Sequence, residues 1–123
     1  MLNKYLLGGE DGKTPVLCED LMAWAQAFEA RHEEASKGDD PWRVKRTYLN
    51  PEETICISTV FLGIDHAFSE DAPPLLFETM VFWPGSDMDN QMRRCSTWAG
   101  AIVQHAVMVH EVEARMQEAA NQT

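Results

Sequence analysis

The chain has 123 residues, of which 45% are hydrophobic and 24% charged, enough for one core in one domain and too balanced for wholesale disorder. Its formal net charge of −10 argues against broad binding to nucleic-acid backbones. No apolar run approaches the ~20 residues of a membrane span, and the first seven residues are too short for a signal peptide, so a cytosolic protein is expected.

In chain order, the segment 8–15 is rich in turn formers, with Gly8-Gly9, Asp11-Gly12 and Pro15. It separates a short N-terminal strand or arm from a first helix. Glu19 and Asp20 place negative charge where a helix should begin. Leu21, Trp24, Ala25 and Phe28 then recur at helical spacing, which predicts an amphipathic helix over 19–35. A polar loop follows at 36–41.

Residues 42–49 have strand character. Strict alternation puts Arg43, Lys45 and Thr47 on one face and Trp42, Val44, Arg46 and Tyr48 on the other. Asn50-Pro51-Glu52-Glu53 reads as a hairpin loop. The next strand, 54–62, is apolar on both faces: Ile55, Ile57 and Phe61 against Cys56, Val60 and Leu62. Such a strand is usually central in its sheet. A loop at 63–74, stiffened by Pro73-Pro74, leads to a strand over 75–83, which Pro84-Gly85 ends.

Thr97 suits the N-cap of a last helix. Trp98, Ile102, His105, Val109, Val112 and Met116 step by four and three. Ala101, Val103, Ala106, Val107 and Met108 spread the apolar surface well beyond that stripe. A helix that is apolar on most sides is buried on most sides, which predicts a homo-oligomer with this helix at a subunit contact. The alternative is that the first helix covers its second face. No internal repeat is present. The expected architecture is one α+β domain over 1–123, a small antiparallel sheet packed with two main helices.

Few residues carry an obvious chemistry. Cys18, Cys56 and Cys95 form no C-x-x-C pair. Two arginines precede Cys95 and could lower its pKa, although an inert thiol is the stronger reading. Asp65-His66 suggests acid–base work, yet neighbours on an extended chain point apart, and a structural corner fits better. His105 and His110 are five apart and do not share a helix face, so metal binding is weakly supported. No metal and no cofactor are expected. Glu78 lies alone in an apolar strand, and no Walker loop or G-x-S-x-G occurs.

Charge distribution is more telling. From Asn50 to Asn90 there are eight acidic residues and no Lys or Arg. Basic residues gather at Arg43, Lys45 and Arg46, and at Arg93 and Arg94. An acidic protein still binds a small anion where it builds a local arginine site. Phe82 and Trp83 can stack on a base, Asn90 can read a base edge, and Arg93 and Arg94 can hold phosphate. Thr97 and the helix N-terminus behind it offer N–H donors to an anion.

Four phrases, L-M-A-W-A-Q-A-F-E (21–29), S-T-V-F-L-G-I-D-H (58–66), P-P-L-L-F-E-T-M-V-F (73–82) and S-T-W (96–98), with His105 beyond them, resemble a family of small phage-encoded proteins. That family is the Thoeris anti-defence sponges and their anti-CBASS relatives. The resemblance spans nearly the whole chain in order. It implies a protein that is not an enzyme and that acts in the host cytoplasm. Such proteins bind cyclic ADP-ribose isomers or cyclic oligonucleotides and keep these immune signals from their effectors. The resemblance also implies assembly from dimers, often into hexamers, with ligands between subunits. Phe82 would stack on a base. Asn90, Arg93 and Arg94 would contact phosphate, ribose or base edge, and His105 and Arg115 would close the pocket from a neighbour. Trp83 and Pro84 stand where relatives often have small residues, and Cys95 where an aromatic is common. Two other classes stay open. One is an acidic inhibitor that docks on a host protein; the other is a small nucleotide-cleaving enzyme using Asp65, His66 and Glu78.

Overall fold

Asp20, expected as negative charge at the start of the first helix, is its cap: its carboxylate accepts from the Ala23 N–H at 3.1 Å. A computed structural model describes residues 3–67 and 71–122; positions 68–70 of the predicted 63–74 loop lie outside the described residues. The elements are β1 (Tyr5–Gly8), β2 (Thr14–Leu17), α1 (Leu21–Ser36), β3 (Arg43–Tyr48), β4 (Cys56–Phe61), β5 (Phe77–Phe82), β6 (Met92–Cys95) and α2 (Trp98–Asn121). The fold is α+β, with a two-stranded and a four-stranded antiparallel sheet.

Two strands escape the sequence reading. The glycine-rich turn after β1 closes a hairpin with β2 rather than leading straight to α1. The segment after Asn90 holds β6, an edge strand that pairs with β5. Strand order is β3-β4-β5-β6, so the apolar β4 is central, as expected. The two basic clusters occupy the two edge strands, where charged side chains discourage pairing with another chain.

One face of this sheet carries Ile57, Thr59 and Phe61 from β4 and Phe77, Thr79 and Val81 from β5, all buried. α2 lies across it and presents Ala101, His105, Met108 and Val112. Two apolar clusters result. Trp24, Trp42, Phe61, Leu76, Phe77 and Ala101 form one, and Ile55, Ile57, Val81, Met88, Met108 and Val112 the other. A polar seam separates them. The His105 ring nitrogens share hydrogen bonds with the Thr47 and Thr59 hydroxyls, each at 2.8 Å, and Thr59 bonds Thr79 at 2.7 Å. Burial, with Lys45 nearby, lowers the His105 pKa below the ordinary imidazole value, so the seam is neutral.

α1 docks by rings rather than along its length. Trp24 stacks on Phe28, Phe28 meets Trp42, Trp42 meets Phe61, and the chain of rings continues through Phe77 to Trp98. The corner after β4 makes this close approach feasible. Gly63 has φ +76, and a Cβ there would sit 2.5 Å from the Trp42 ring. Its carbonyl accepts from the Tyr5 N–H at 2.8 Å and the Trp24 indole at 3.2 Å. Because α1 packs at this end, it does not cover α2, and Ile102, Val103 and Val107 stay exposed.

Candidate ligand site on the open sheet face

A bulge in β3 overturns the simple alternation expected there. Arg43 pairs with Val60 but Lys45 pairs with Thr59, so Val44 is an extra residue. Trp42 therefore turns inward with Lys45 and Thr47, and Arg43 turns outward with Arg46 and Tyr48. On the outward face the registers set three rows across the strands. Tyr48, Cys56 and Phe82 form the first; Arg46, Ser58, Met80 and Met92 the second; Arg43, Val60, Glu78 and Arg94 the third. Neither core cluster draws a residue from this face. Tyr48, Phe82 and Met92 are 42%, 43% and 45% exposed, whereas Cys56 between Tyr48 and Phe82 is buried, so the exposed apolar groups stand at the strand ends and edges of this face. Apolar and aromatic side chains presented together with arginines can hold a flat, anionic ligand.

The structure divides the residues named from sequence. Phe82 and Arg94 lie on the open face, and Asn90 stands at its end. Asn90 has the left-handed φ of 67 that asparagine tolerates. Its N–H donates to the Val81 carbonyl at 2.8 Å, which places it beside Phe82. Arg94 is paired with Glu78 at 3.0 Å. Arg93, its neighbour, points the opposite way and reaches Glu111 of α2 at 2.6 Å.

Thr97 accepts from the Gly100 N–H at 3.0 Å and is the expected cap of α2. His105 is only 1% exposed and both its ring nitrogens are engaged, so it is a core residue and does not reach a ligand. Arg115 lies at a cleft of about 340 Å³ lined by Trp83, Pro84, Ser86, Asp87 and Glu118 among others. It forms a two-pronged contact with Asp87, at 2.6 and 2.7 Å, and a further one with Glu118 at 3.2 Å. Asp87's pKa is lowered chiefly by that hydrogen bonding. One guanidinium facing two carboxylates leaves the cleft with no surplus positive charge for an anion.

The remaining candidates are structural. Asp65 accepts from the Ala67 and Leu75 N–H groups at 2.8 and 2.9 Å, and the His66 ring bonds the Ile64 carbonyl at 2.7 Å: the corner expected of them. Burial raises the Cys95 pKa, outweighing a lowering by a Thr97 backbone hydrogen bond, which favours the inert thiol. Among the described residues, no group of three or more His, Cys, Asp or Glu side chains is arranged to hold a metal ion, and no helix is long and apolar enough to cross a membrane.

Sequence reasoning missed Tyr48, Met80 and Met92 as members of a surface. Alternation in β5 alone pointed to Met80 and Phe82 sharing a face, but nothing local showed that the face stays out of both core clusters. Comparison with protein-family models, curated proteins and solved structures gives no match.

Proposed function

We propose that this protein is a sponge: it binds small cyclic nucleotides, cyclic ADP-ribose isomers or cyclic oligonucleotides, on the open face of its four-stranded sheet and sequesters them uncleaved. The observation that carries this reading is Phe82, 43% exposed on a sheet face that, among the described residues, contributes to neither core cluster, with Arg94 and Arg46 on the same face. An aromatic platform supplies sequence-tolerant stacking and arginines supply charge. The phrases shared with phage anti-defence proteins point to immune signals in the host cytoplasm as the ligands. Copies of the chain associate through the exposed apolar side of α2.

The same geometry weighs against the two other classes. Asp65 and Glu78 are each held by a structural partner, and one nitrogen of the His66 ring holds the Ile64 carbonyl, which supports a structural corner over a catalytic pair. Of the eight acids between Asn50 and Asn90, Asp65 and Asp89 cap backbone N–H groups, Glu78 pairs with Arg94, and Asp87 pairs with Arg115. The run is not one continuous acidic surface. The test is to incubate the pure protein with cyclic ADP-ribose isomers and cyclic di- and trinucleotides, remove unbound material, heat, and analyse the supernatant by mass spectrometry. Intact ligand is expected. Cleaved product means an enzyme, and no bound ligand removes the sponge reading.

A further inference from the structure

We propose that Arg43 and Arg46 of β3 form the phosphate-holding half of the open sheet face, opposite an aromatic half at Phe82. The inference rests on the reading of that face as a nucleotide site, and it names residues that neither the helix-side arginines nor the sequence phrases suggest.

Ion pairing leaves two arginines over. The chain has six arginines. Arg31, Arg93, Arg94 and Arg115 each pair with a carboxylate. Among the described residues no ion pair includes Arg43 or Arg46. Asp40 senses the charge of Arg43, but both its oxygens are taken by Arg31 at 3.0 Å, and one also accepts from the Trp42 N–H. Two unneutralised guanidinium groups on one face of a chain with net charge −10 are a local positive site in a negative surround.

The bulge brings them to one side. Regular alternation would put Arg43 on the α2 side with Lys45 and Thr47. The extra residue Val44 moves it outward beside Arg46. Bulges re-aim side chains, and here the result is two cations on one side of an edge strand. Arg43 Nε is buried and has no hydrogen-bond partner, a donor left over by the fold itself. The Arg46 guanidinium lies 5.2 Å from the centre of the Tyr48 ring, a stacking contact that holds the group in place while leaving its N–H edge free to donate.

The dimensions suit the ligand class. From β3 to β5 is two strand spacings, roughly 10 Å, and Arg46 stands one row and Arg43 two rows along from Phe82, which sets the two backbones on the order of 12 and 17 Å from it, a reach for a ligand with more than one phosphate or nucleotide unit. Ser58 lies between, in the row of Arg46, and adds a hydroxyl.

The experiment is calorimetric titration of the wild type, Arg43→Gln, Arg46→Gln, the double variant and Arg93→Gln with cyclic ADP-ribose, a cyclic triadenylate and ADP. Circular dichroism checks each fold; should the double variant melt, the single variants carry the test. Each single substitution is expected to weaken binding on the order of tenfold, and the pair a hundredfold or more, with a shallower dependence on salt. Arg93→Gln is expected to bind as the wild type does. Unchanged affinity in the double variant overturns the assignment. If the wild type ignores both cyclic ligands, the sponge reading falls and ADP decides this inference alone. Amide shifts at Tyr48, Ser58 and Phe82 that vanish in the double variant sustain it, and no response to ADP overturns it.

Discussion

Arg93 and Arg94 are adjacent in the chain and serve opposite faces of the sheet. Arg93 meets Glu111 of α2 at 2.6 Å, and Arg94 meets Glu78 on the opposite side at 3.0 Å. The two therefore cannot clamp one phosphate from within a single copy. Substituting them singly should separate their effects. Arg94→Ala leaves Glu78 unpaired beside the ligand and should weaken cyclic ADP-ribose binding by about 1–2 kcal/mol. Arg93→Ala should leave affinity unchanged. Equal losses in the two variants, measured by calorimetry, would place the ligand on the helix side instead.

Phe82→Ala should cost about 1–3 kcal/mol of binding, the usual worth of a stacked base. Phe82 belongs to neither core cluster, so thermal stability should change little. A large fall in melting temperature with unaltered affinity would make Phe82 a structural residue.

The proposed assembly is tested on α2. Val103 and Val107 are 63% and 44% exposed, and in an isolated chain their replacement by Glu should alter stability by no more than about 0.5 kcal/mol. In the oligomer the same charges would be buried. Light scattering should report a larger species for the wild type and a monomer for Val103→Glu with Val107→Glu. An unchanged mass for the double variant would remove α2 from the contact.

His105 makes stability depend on pH. Its folded pKa is lowered by burial and by Lys45, so the unfolded chain binds more protons than the folded one below the ordinary imidazole value of about 6.5. This contribution is fully present above that value and is lost as pH falls below it. Urea midpoints should therefore decline from pH 6.5 towards 5. His105→Gln should lose about 1–3 kcal/mol at neutral pH, because Thr47 and Thr59 lose a partner, and its decline over that range should be shallower. Parallel pH profiles would show that other groups set the slope.

Gly63→Ala tests why the phrase S-T-V-F-L-G-I-D-H has a glycine. The residue is at φ +76 and its missing Cβ is the space that the Trp42 ring fills. Alanine should destabilise by on the order of 2–4 kcal/mol through backbone strain and displaced packing. A loss below about 0.5 kcal/mol in urea unfolding would mean that the corner relaxes freely.

Much of the scaffold was legible in the chain. The negative charge at the start of α1, the helical spacing of Trp24 and Phe28, the central β4 and the cap at Thr97 depend on local geometry and apolar period, which a sequence displays directly. β6 was not legible, because Met92–Cys95 has two arginines and only four residues, and its strand character comes from pairing with β5 rather than from its own pattern. The bulge at Val44 was hidden for the same reason: alternation is broken by the register with β4, a non-local fact.

What the sequence by itself determined is the class of the fold, its two helices and its longer strands, and the presence of two basic clusters in an acidic chain. Only the tertiary structure decided where those charges act. Folding neutralised four of the six arginines against carboxylates brought from elsewhere in the chain, and it turned His105 into a core residue and left one face of the sheet out of both core clusters of the described residues. The physical reason is that periodicity tells a residue's side of its own strand or helix, whereas ion pairing and cover depend on what other elements place opposite it.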